Sequence, residues 1–539
     1  MRLRLGGGDR RVVPSRSVSL RPLHSPLPAF LLLLPSCNGS RVEIVLHGAP
    51  GFDPAEELGE ITVRIEEAET GDRIGGRGST RVGAADPALE GIDLQDGVAY
   101  RALVEGAAEE RCREEKIAVG RSLPFVHDDG GDVVDLWVGC HGEASIVQDL
   151  PEPRALSAVS WVEEEARVLV TGGAPSATFD LAGFRDAPRE ASVFSMDVAT
   201  GEWTTDEALE TPRRLHAAAA AAPGLVVMGG GAESALGFDA SVEVLSGSDR
   251  TIESALGASL LVPTAVRLAS GRILVAGWEA PPGDARPLLI YDPDAGVTEF
   301  ASVDVEALGG ATLAVLDGGA RVLVVGGALR GLAGETQPAG VRMFCEEPCG
   351  ECAVAPCVVD VAIEGAAPAD DWAFMAASYV PCDAGGGAVV VAGGGSGPMG
   401  EVVPSNALFC YRDEPGQIGT MAPLAETLAT PRHGATAATV ERAVDGGFWV
   451  FVVGGTGGTG GATPFPNDME VVEINGCTCD PTGVAVRELP TSPEGATTTA
   501  GHAMATLGDG SVLVVGGFEP LELAEGAELD ATSRVLRIR

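Results

Sequence analysis

A chain of 539 residues with a formal net charge of −41 repels phosphate backbones and anionic lipid surfaces, which argues against nucleic-acid binding. The length exceeds one ordinary core, so two or three domains are expected unless repeats extend one of them. Apolar residues make up 45%, aromatics 5%, and glycine reaches 74 residues, a mixture that favours Val-, Leu- and Ala-filled strands with frequent turns over helices. The acids are scattered and form no D-x-D-x-D-G run, so no calcium loop is implied.

Residues 1–37 read as a signal peptide. Arg2, Arg4, Arg10, Arg11, Arg16 and Arg21 make a basic segment, and Leu27 to Leu34 form an apolar stretch too short to span a bilayer. It meets L-P-S-C at 34–37, which resembles a bacterial lipobox, so Cys37 is the expected lipidation site. A plain secretory signal is the alternative. Either way the compartment is oxidising, and the expected location is the bacterial cell envelope, lipid-anchored, or secreted.

Residues 38–143 hold alternating strands: R-V-E-I-V-L-H at 41–47, E-I-T-V-R-I at 60–65, V-A-Y-R-A-L-V at 98–104 and D-V-V-D-L-W-V at 132–138. A small β-sandwich is expected there. Cys112 and Cys140 are the two cysteines between residues 38 and 340, so they are expected to pair.

Residues 144–539 are dominated by an internal repeat. A strand, a polar turn, a second very apolar strand and Gly-Gly recur at Gly172–Gly173, Gly229–Gly230, Gly326–Gly327, Gly393–Gly394, Gly454–Gly455 and Gly516–Gly517. A degenerate copy stands at Gly277. Successive copies lie about 48–67 residues apart. The second strand is apolar at nearly every position, as a strand buried on both faces would be.

The first copy continues through V-F-S-M-D-V-A-T-G-E-W at 193–203 to Trp203, and T-P-R-R-L-H-A at 211–217 opens the next, as T-P-R-H-G-A does at 430–435. These residues resemble the kelch family, whose blades carry Gly-Gly after the second strand and a Trp further on. The resemblance implies a seven-bladed β-propeller in an all-β chain, with six blades the alternative if the copy near Gly277 is misread. After Gly517 the chain supplies one more strand, S-R-V-L-R-I-R at 533–539, so the last blade lacks its outermost member. S-I-V-Q-D-L at 145–150 is the candidate to close the ring.

Eight further cysteines, Cys345, Cys349, Cys352, Cys357, Cys382, Cys410, Cys477 and Cys479, are disulfide candidates in an exported protein. The spacing C-x3-C-x2-C-x4-C at 345–357 lacks two separated knuckles, so a loop stapled by disulfides is favoured over zinc. Some kelch-like propellers are copper radical oxidases, which need Tyr and His ligands. Here the tyrosines are Tyr100, Tyr291, Tyr379 and Tyr411, while His216, His433 and His502 sit at a repeated strand-opening position, which favours a structural role. No sialidase box, G-x-S-x-G, H-E-x-x-H or phosphate loop is found, and Asp370 and Asp371 read as surface charges. The sequence therefore points to no catalytic residue, metal or cofactor, and a non-enzymatic role is favoured. Long segments after Gly-Gly, at 174–190, 395–406 and 456–468, would offer a recognition surface to a protein or glycan partner. The expected protein is a monomeric envelope binding module; a secreted carbohydrate-active enzyme on a propeller scaffold is the alternative.

Overall fold

A computed structural model describes residues 40–539 except 75–78, 114–115, 128–130, 179–186, 223, 231–239, 248, 254–255, 257–259, 280–287, 301–309, 328–339, 351, 353, 366–372, 382–386, 397–402, 415–416, 443–446, 457–468, 475–478, 480–483, 490–499 and 519–527. Beyond the short helix Pro54–Glu57 and two 3-10 turns, the described elements are strands.

The N-terminal strands form one continuous eight-stranded sheet. Glu60–Glu67 and Ala99–Ala107 alternate buried and half-buried residues, so Ile61, Val63 and Ile65 face the same core as Tyr100, Ala102 and Val104. Ser40–His47 lies parallel to Asp132–Cys140 and antiparallel to Ala88–Ile92. The second half of Asp132–Cys140 is buried at five successive residues, because the propeller covers its other face.

Seven sheets built on antiparallel strands follow, numbered blades 1 to 7. Blade 1 runs Ala158–Val162, Arg167–Thr171, Val193–Asp197 and Trp203–Asp206 in order, and blades 2, 3, 4 and 6 repeat that order. Blade 5 carries an additional outer strand, Ala362–Ile363, paired parallel to Gln417–Pro423. The first strands stand side by side around a ring: Ala158–Val162, Ala217–Ala221, Leu260–Arg267, Thr312–Leu316, Ala373–Pro381, Thr436–Glu441 and Ala503–Thr506, the last returning to the first. Second strands such as Gly224–Met228 and Arg321–Val325 are buried at every residue, since each is sandwiched between neighbouring blades.

Blade 7 closes the ring. Its third strand Val535–Ile538 pairs with Ala144–Ile146, matching Leu536 to Ile146 and Ile538 to Ala144, so the fourth strand comes from ahead of blade 1. Val147 N–H to Val535 O at 3.0 Å and Leu150 N–H to Ser533 O at 2.8 Å extend the pairing. Trp203 secures the same segment, donating its indole N–H to Gln148 O at 3.0 Å. On the opposite side of the seam, Ser176–Thr178 pairs with Glu528–Asp530, and buried Phe518 fills the space beneath among Ala155, Ala174 and Ala531.

Six Gly-Gly pairs have positive φ at both residues, 56–68° at the first glycine and 89–117° at the second. A Cβ at Gly516 would stand 2.0 Å from Arg154 O, so the turn needs glycine for space as well as conformation. Gly277 differs. The strand Ile273–Glu279 continues through it, and a Cβ there would meet Pro263 Cα at 3.2 Å, where the register shifts between Leu261 and Thr264. This glycine admits the facing strand closely and marks no turn.

Candidate functional site

The ring has two unlike ends. At the end bearing the tight turns, the N-terminal sheet is docked. Trp137 lies against Gly201, where a Cβ would be 3.2 Å from its ring, and the Arg537 guanidinium stands 5.0 Å above the Trp137 ring. Arg539 donates to Trp137 O at 3.0 Å and Arg121 O at 3.3 Å, while Arg537 donates to Val198 O at 2.7 Å in blade 1. Both arginines pair with buried Asp509. Burial opposes ionisation of Asp509, but the two guanidiniums and Ser511 prevail and hold its pKa down to about 2. One hydrophobic cluster runs from Val42 and Ile61 through Trp137 to Val168, Phe194 and Leu513, so the sheet and the ring share a core.

The opposite end carries the Gly-Gly turns and the entries to the first strands. In each blade a residue of left-handed conformation stands just before or within the opening residues of the first strand: Leu156, Leu215, Val262, Gly310, Phe374, Gly434 and Gly501, with φ from 46° to 71°. This conformation turns backbone groups from blade to blade. Leu156 N–H reaches Gly501 O at 2.7 Å, Leu215 N–H reaches Leu156 O at 3.0 Å, and Phe374 N–H and Gly434 N–H repeat the step at 2.9 Å. Inside this collar is a cavity of about 270 Å³ lined by the first strands, among them Ala158, Ala217, Pro263, Thr264, Leu313 and Met504. Thr264 donates its hydroxyl to Ala311 O at 3.2 Å, and Thr312 donates to Met375 O. The surface left facing the cavity is polar and apolar in nearly equal parts.

The entry segments are fastened by arginine. Arg213 is fully buried and pairs with Glu243 in the third strand of its own blade at 3.0 Å, donating also to Gly229 O at 2.9 Å. Its carbonyl accepts the N–H of Gly173 from the preceding blade at 2.8 Å. Glu243 in turn accepts backbone N–H bonds from Glu210 and Thr211. Blade 6 repeats the arrangement with Arg432, Glu470, Gly454 O and the N–H groups of Ala429 and Thr430. Reading the sequence missed these pairs. Their signal is a Glu at the second position of an apolar third strand, V-E-V-L-S or M-E-V-V-E-I, following T-P-R.

The three propeller histidines stay apart. His216 Nε2 is 2.8 Å from Thr171 Oγ1, His502 Nε2 is 2.6 Å from Thr436 Oγ1, and His433 Nε2 is 2.6 Å from Thr456 Oγ1. Burial, with Arg213 adding repulsion, lowers His216 to about 3, and burial lowers His433 to about 4, so both rings are neutral near pH 7. Of the tyrosines, Tyr379 lies in the first strand of blade 5 and packs in the same hydrophobic cluster as Tyr411. Tyr291 and Tyr411 are buried in the third strands of blades 3 and 5, with Gly419 N–H donating to the Tyr411 hydroxyl at 2.9 Å. Tyr100 belongs to the N-terminal sheet. Among the described residues no group of three or more His, Cys, Asp or Glu is placed to hold a metal. The Tyr and His set of a copper radical oxidase is therefore not assembled by them.

Four disulfides join described residues: Cys112–Cys140, Cys345–Cys349, Cys352–Cys357 and Cys410–Cys479. They mark an oxidising compartment, extracellular or of the envelope. Among the described residues no helix is long and apolar enough to cross a membrane. Cys37, Cys382, Cys477, Asp370 and Asp371 lie outside the described residues, as do 179–186, 397–402 and 457–468 of the three long segments expected to carry recognition.

No family model and no curated protein matches this chain. Among solved structures it is similar to a fungal alcohol oxidase of the AA5 family in complex with copper, with 18% identity and a TM-score of 0.51 over 73% of this chain and 76% of that one. It also aligns with YjhT at 12% identity and a TM-score of 0.42, over 63% of this chain and 99% of that one. At such identity the likeness to the oxidase is one of fold.

Proposed function

We propose that this chain is an exported binding module of the cell envelope, anchored through a lipid on Cys37, that presents the Gly-Gly end of a kelch-type propeller to a protein or glycan partner. One observation supports this reading: among the described residues the N-terminal sheet covers the turn end, while the collar and its cavity lie at the other end of the ring. Recognition on such scaffolds sits where loops leave the framework, and the segments after Gly-Gly leave at this end. Co-purification of the tagged chain with envelope proteins or polysaccharides, lost when the collar is altered and kept when the turn end is altered, tests it. Loss on altering the turn end instead would refute it.

A second reading, a secreted carbohydrate-active enzyme on a propeller scaffold, is favoured by the fold likeness to the alcohol oxidase. Turnover of sugars or alcohols by the purified chain, assayed with and without added copper, decides between the two. Product formation in either condition would displace the binding module.

A further inference from the structure

We propose that the cysteine hairpin at 345–357 is a thiol-operated switch that locks or releases the strap joining blades 4 and 5. Its two states are the sequential pairing, Cys345–Cys349 with Cys352–Cys357, and the nested pairing, Cys345–Cys357 with Cys349–Cys352. The switch is independent of what the ring binds.

The starting observation is that the covalent and the backbone partnerships of these four residues differ. The disulfides join Cys345 to Cys349 and Cys352 to Cys357, with Cα separations of 6.2 and 6.4 Å. The backbone instead sets Cys345 directly opposite Cys357, where Val341–Cys345 pairs with Cys357–Asp360. It sets Cys349 opposite Cys352 as well, through an antiparallel bridge in which Cys352 N–H donates to Cys349 O at 2.8 Å. Opposed antiparallel residues stand about 4.5–5.5 Å apart at Cα, inside the roughly 4.4–6.8 Å that a disulfide spans. Cys345 and Cys352 belong to one hydrophobic cluster, and Cys349 and Cys357 pack against it, so all four meet in one place. Cys410 and Cys479 pack in a different cluster, which keeps their bond out of the exchange.

Each pairing has two S–S bonds, so passing between them needs a thiol as catalyst and no net oxidant. The thiolate of a small external thiol attacks Sγ of Cys349, which is half-buried where Cys345 is fully buried, and expels the Cys345 thiolate. Cys345 then attacks Sγ of Cys357 and expels the Cys352 thiolate. Cys352 closes on Sγ of Cys349 and releases the external thiolate, which regains its proton. Every bond broken is matched by one formed, and the thiol is returned.

What changes is the strap. Cys357–Asp360 is the outer strand of blade 4, and Ala362–Ile363 carries the chain onto the outer strand of blade 5. Val361 N–H donates to Val341 O in one blade and Glu364 N–H to Met421 O in the next, both at 2.8 Å. In the sequential pairing neither bond crosses from the third strand of blade 4 to the strap. The nested pairing crosses at the strap's root, Cys357, while Glu346 holds the other arm of the hairpin to Ser270 and Arg272 of blade 3. A half-buried edge strand opens locally more readily than a core strand, and a cross-strand clamp at its root opposes that opening.

The test uses the full oxidised chain, incubated at mildly alkaline pH with glutathione and its disulfide, quenched in acid, unfolded and cut after Glu346 and Glu351. Mass spectrometry of the unreduced digest separates the states: the sequential pairing leaves Cys352–Cys357 inside one fragment, whereas the nested pairing joins three fragments through Cys345–Cys357 and Cys349–Cys352. The nested species should rise with glutathione and reach at least about 1% of the chain. In Cys349→Ser/Cys352→Ser, Cys345 and Cys357 should bond and resist alkylation. Amide exchange across 357–363 should there be at least about tenfold slower than in Cys345→Ser/Cys349→Ser, which keeps Cys352–Cys357. One connectivity at every glutathione ratio, or reduction to four thiols without the nested species, overturns the proposal. So do free Cys345 and Cys357 in the first variant, or equal exchange in the two. If either variant fails to fold, the digest of the parent chain alone decides.

Discussion

At the turn end, Arg537 and Arg539 reach out of the ring through Asp509 to Trp137 and Arg121 of the N-terminal sheet. At the Gly-Gly end, Arg213 and Arg432 stay within their own blades, each against a buried Glu. Both arrangements bury charge, which gives little net stability against an apolar alternative but penalises any rearrangement that separates the partners. The difference is in what is being specified. One set fixes how the N-terminal sheet sits on the ring, and the other fixes the segment that leads into a first strand. The end covered by the N-terminal sheet is tied to its cover, whereas the Gly-Gly end is fastened, among the described residues, inside single blades.

The comparison can be broken most drastically at the seam. Replacing residues 144–150 with a Gly-Ser linker of equal length removes the fourth strand of blade 7 and should abolish the cooperative unfolding transition of the ring in urea. Retention of that transition would show that the strand does not close it. Next in size, Asp509→Ala leaves Arg537 and Arg539 buried without a counter-charge and should cost about 3–5 kcal/mol by denaturant unfolding. Adding Arg539→Met should recover part of that loss. Glu243→Gln keeps an acceptor for Thr211 N–H but removes the charge facing Arg213, for a loss of about 2 kcal/mol. Equal losses for Asp509→Ala and Glu243→Gln would mean that the two ends are tied equally tightly.

Acid dependence is the graded effect, its size set by how far the pH is lowered. His216 has a folded pKa of about 3 against an ordinary 6.5, so between those values the unfolded chain binds the proton and the folded one does not. Stability should therefore fall as pH drops from 6.5 towards 3, with His433 contributing down to about 4. Asp509, held at about 2 against 3.8, contributes stability that is present above 3.8 and lost below. Thermal melts across this range should show the slope, and His216→Asn should flatten its upper part. An unchanged slope in that variant would assign the effect elsewhere.

The ring was legible because a strand buried on both faces cannot alternate. V-L-V-T-G-G, V-L-V-V-G-G and their relatives state burial and turn in six letters, and the missing last strand followed from counting them. The collar was not legible. Gly434 and Gly501 look like turn residues, but nothing local marks Leu215, Val262 or Phe374 as left-handed, because the need for it arises from the neighbouring blade. The Arg–Glu pairs were hidden for a related reason. Arg213 and Glu243 are 30 residues apart, and each alone resembles a surface charge. Gly277 was legible as the degenerate copy of the repeat, but its role was not, since close approach of Pro263 and positive φ call for the same residue.

The origin of the closing strand has a mechanical consequence. Ala144–Ile146 begins four residues after Cys140, so tension applied at the N-terminal end enters the ring at the one blade whose strands are not contiguous in sequence. Before it arrives, the force must cross the Cys112–Cys140 bond, which takes the chain between those residues out of the extensible path, and then the Arg539 contacts to Trp137 and Asp509. A molecule tethered at that end would carry load across its domain junction first and its ring last, with the mouth at the far end of the load path.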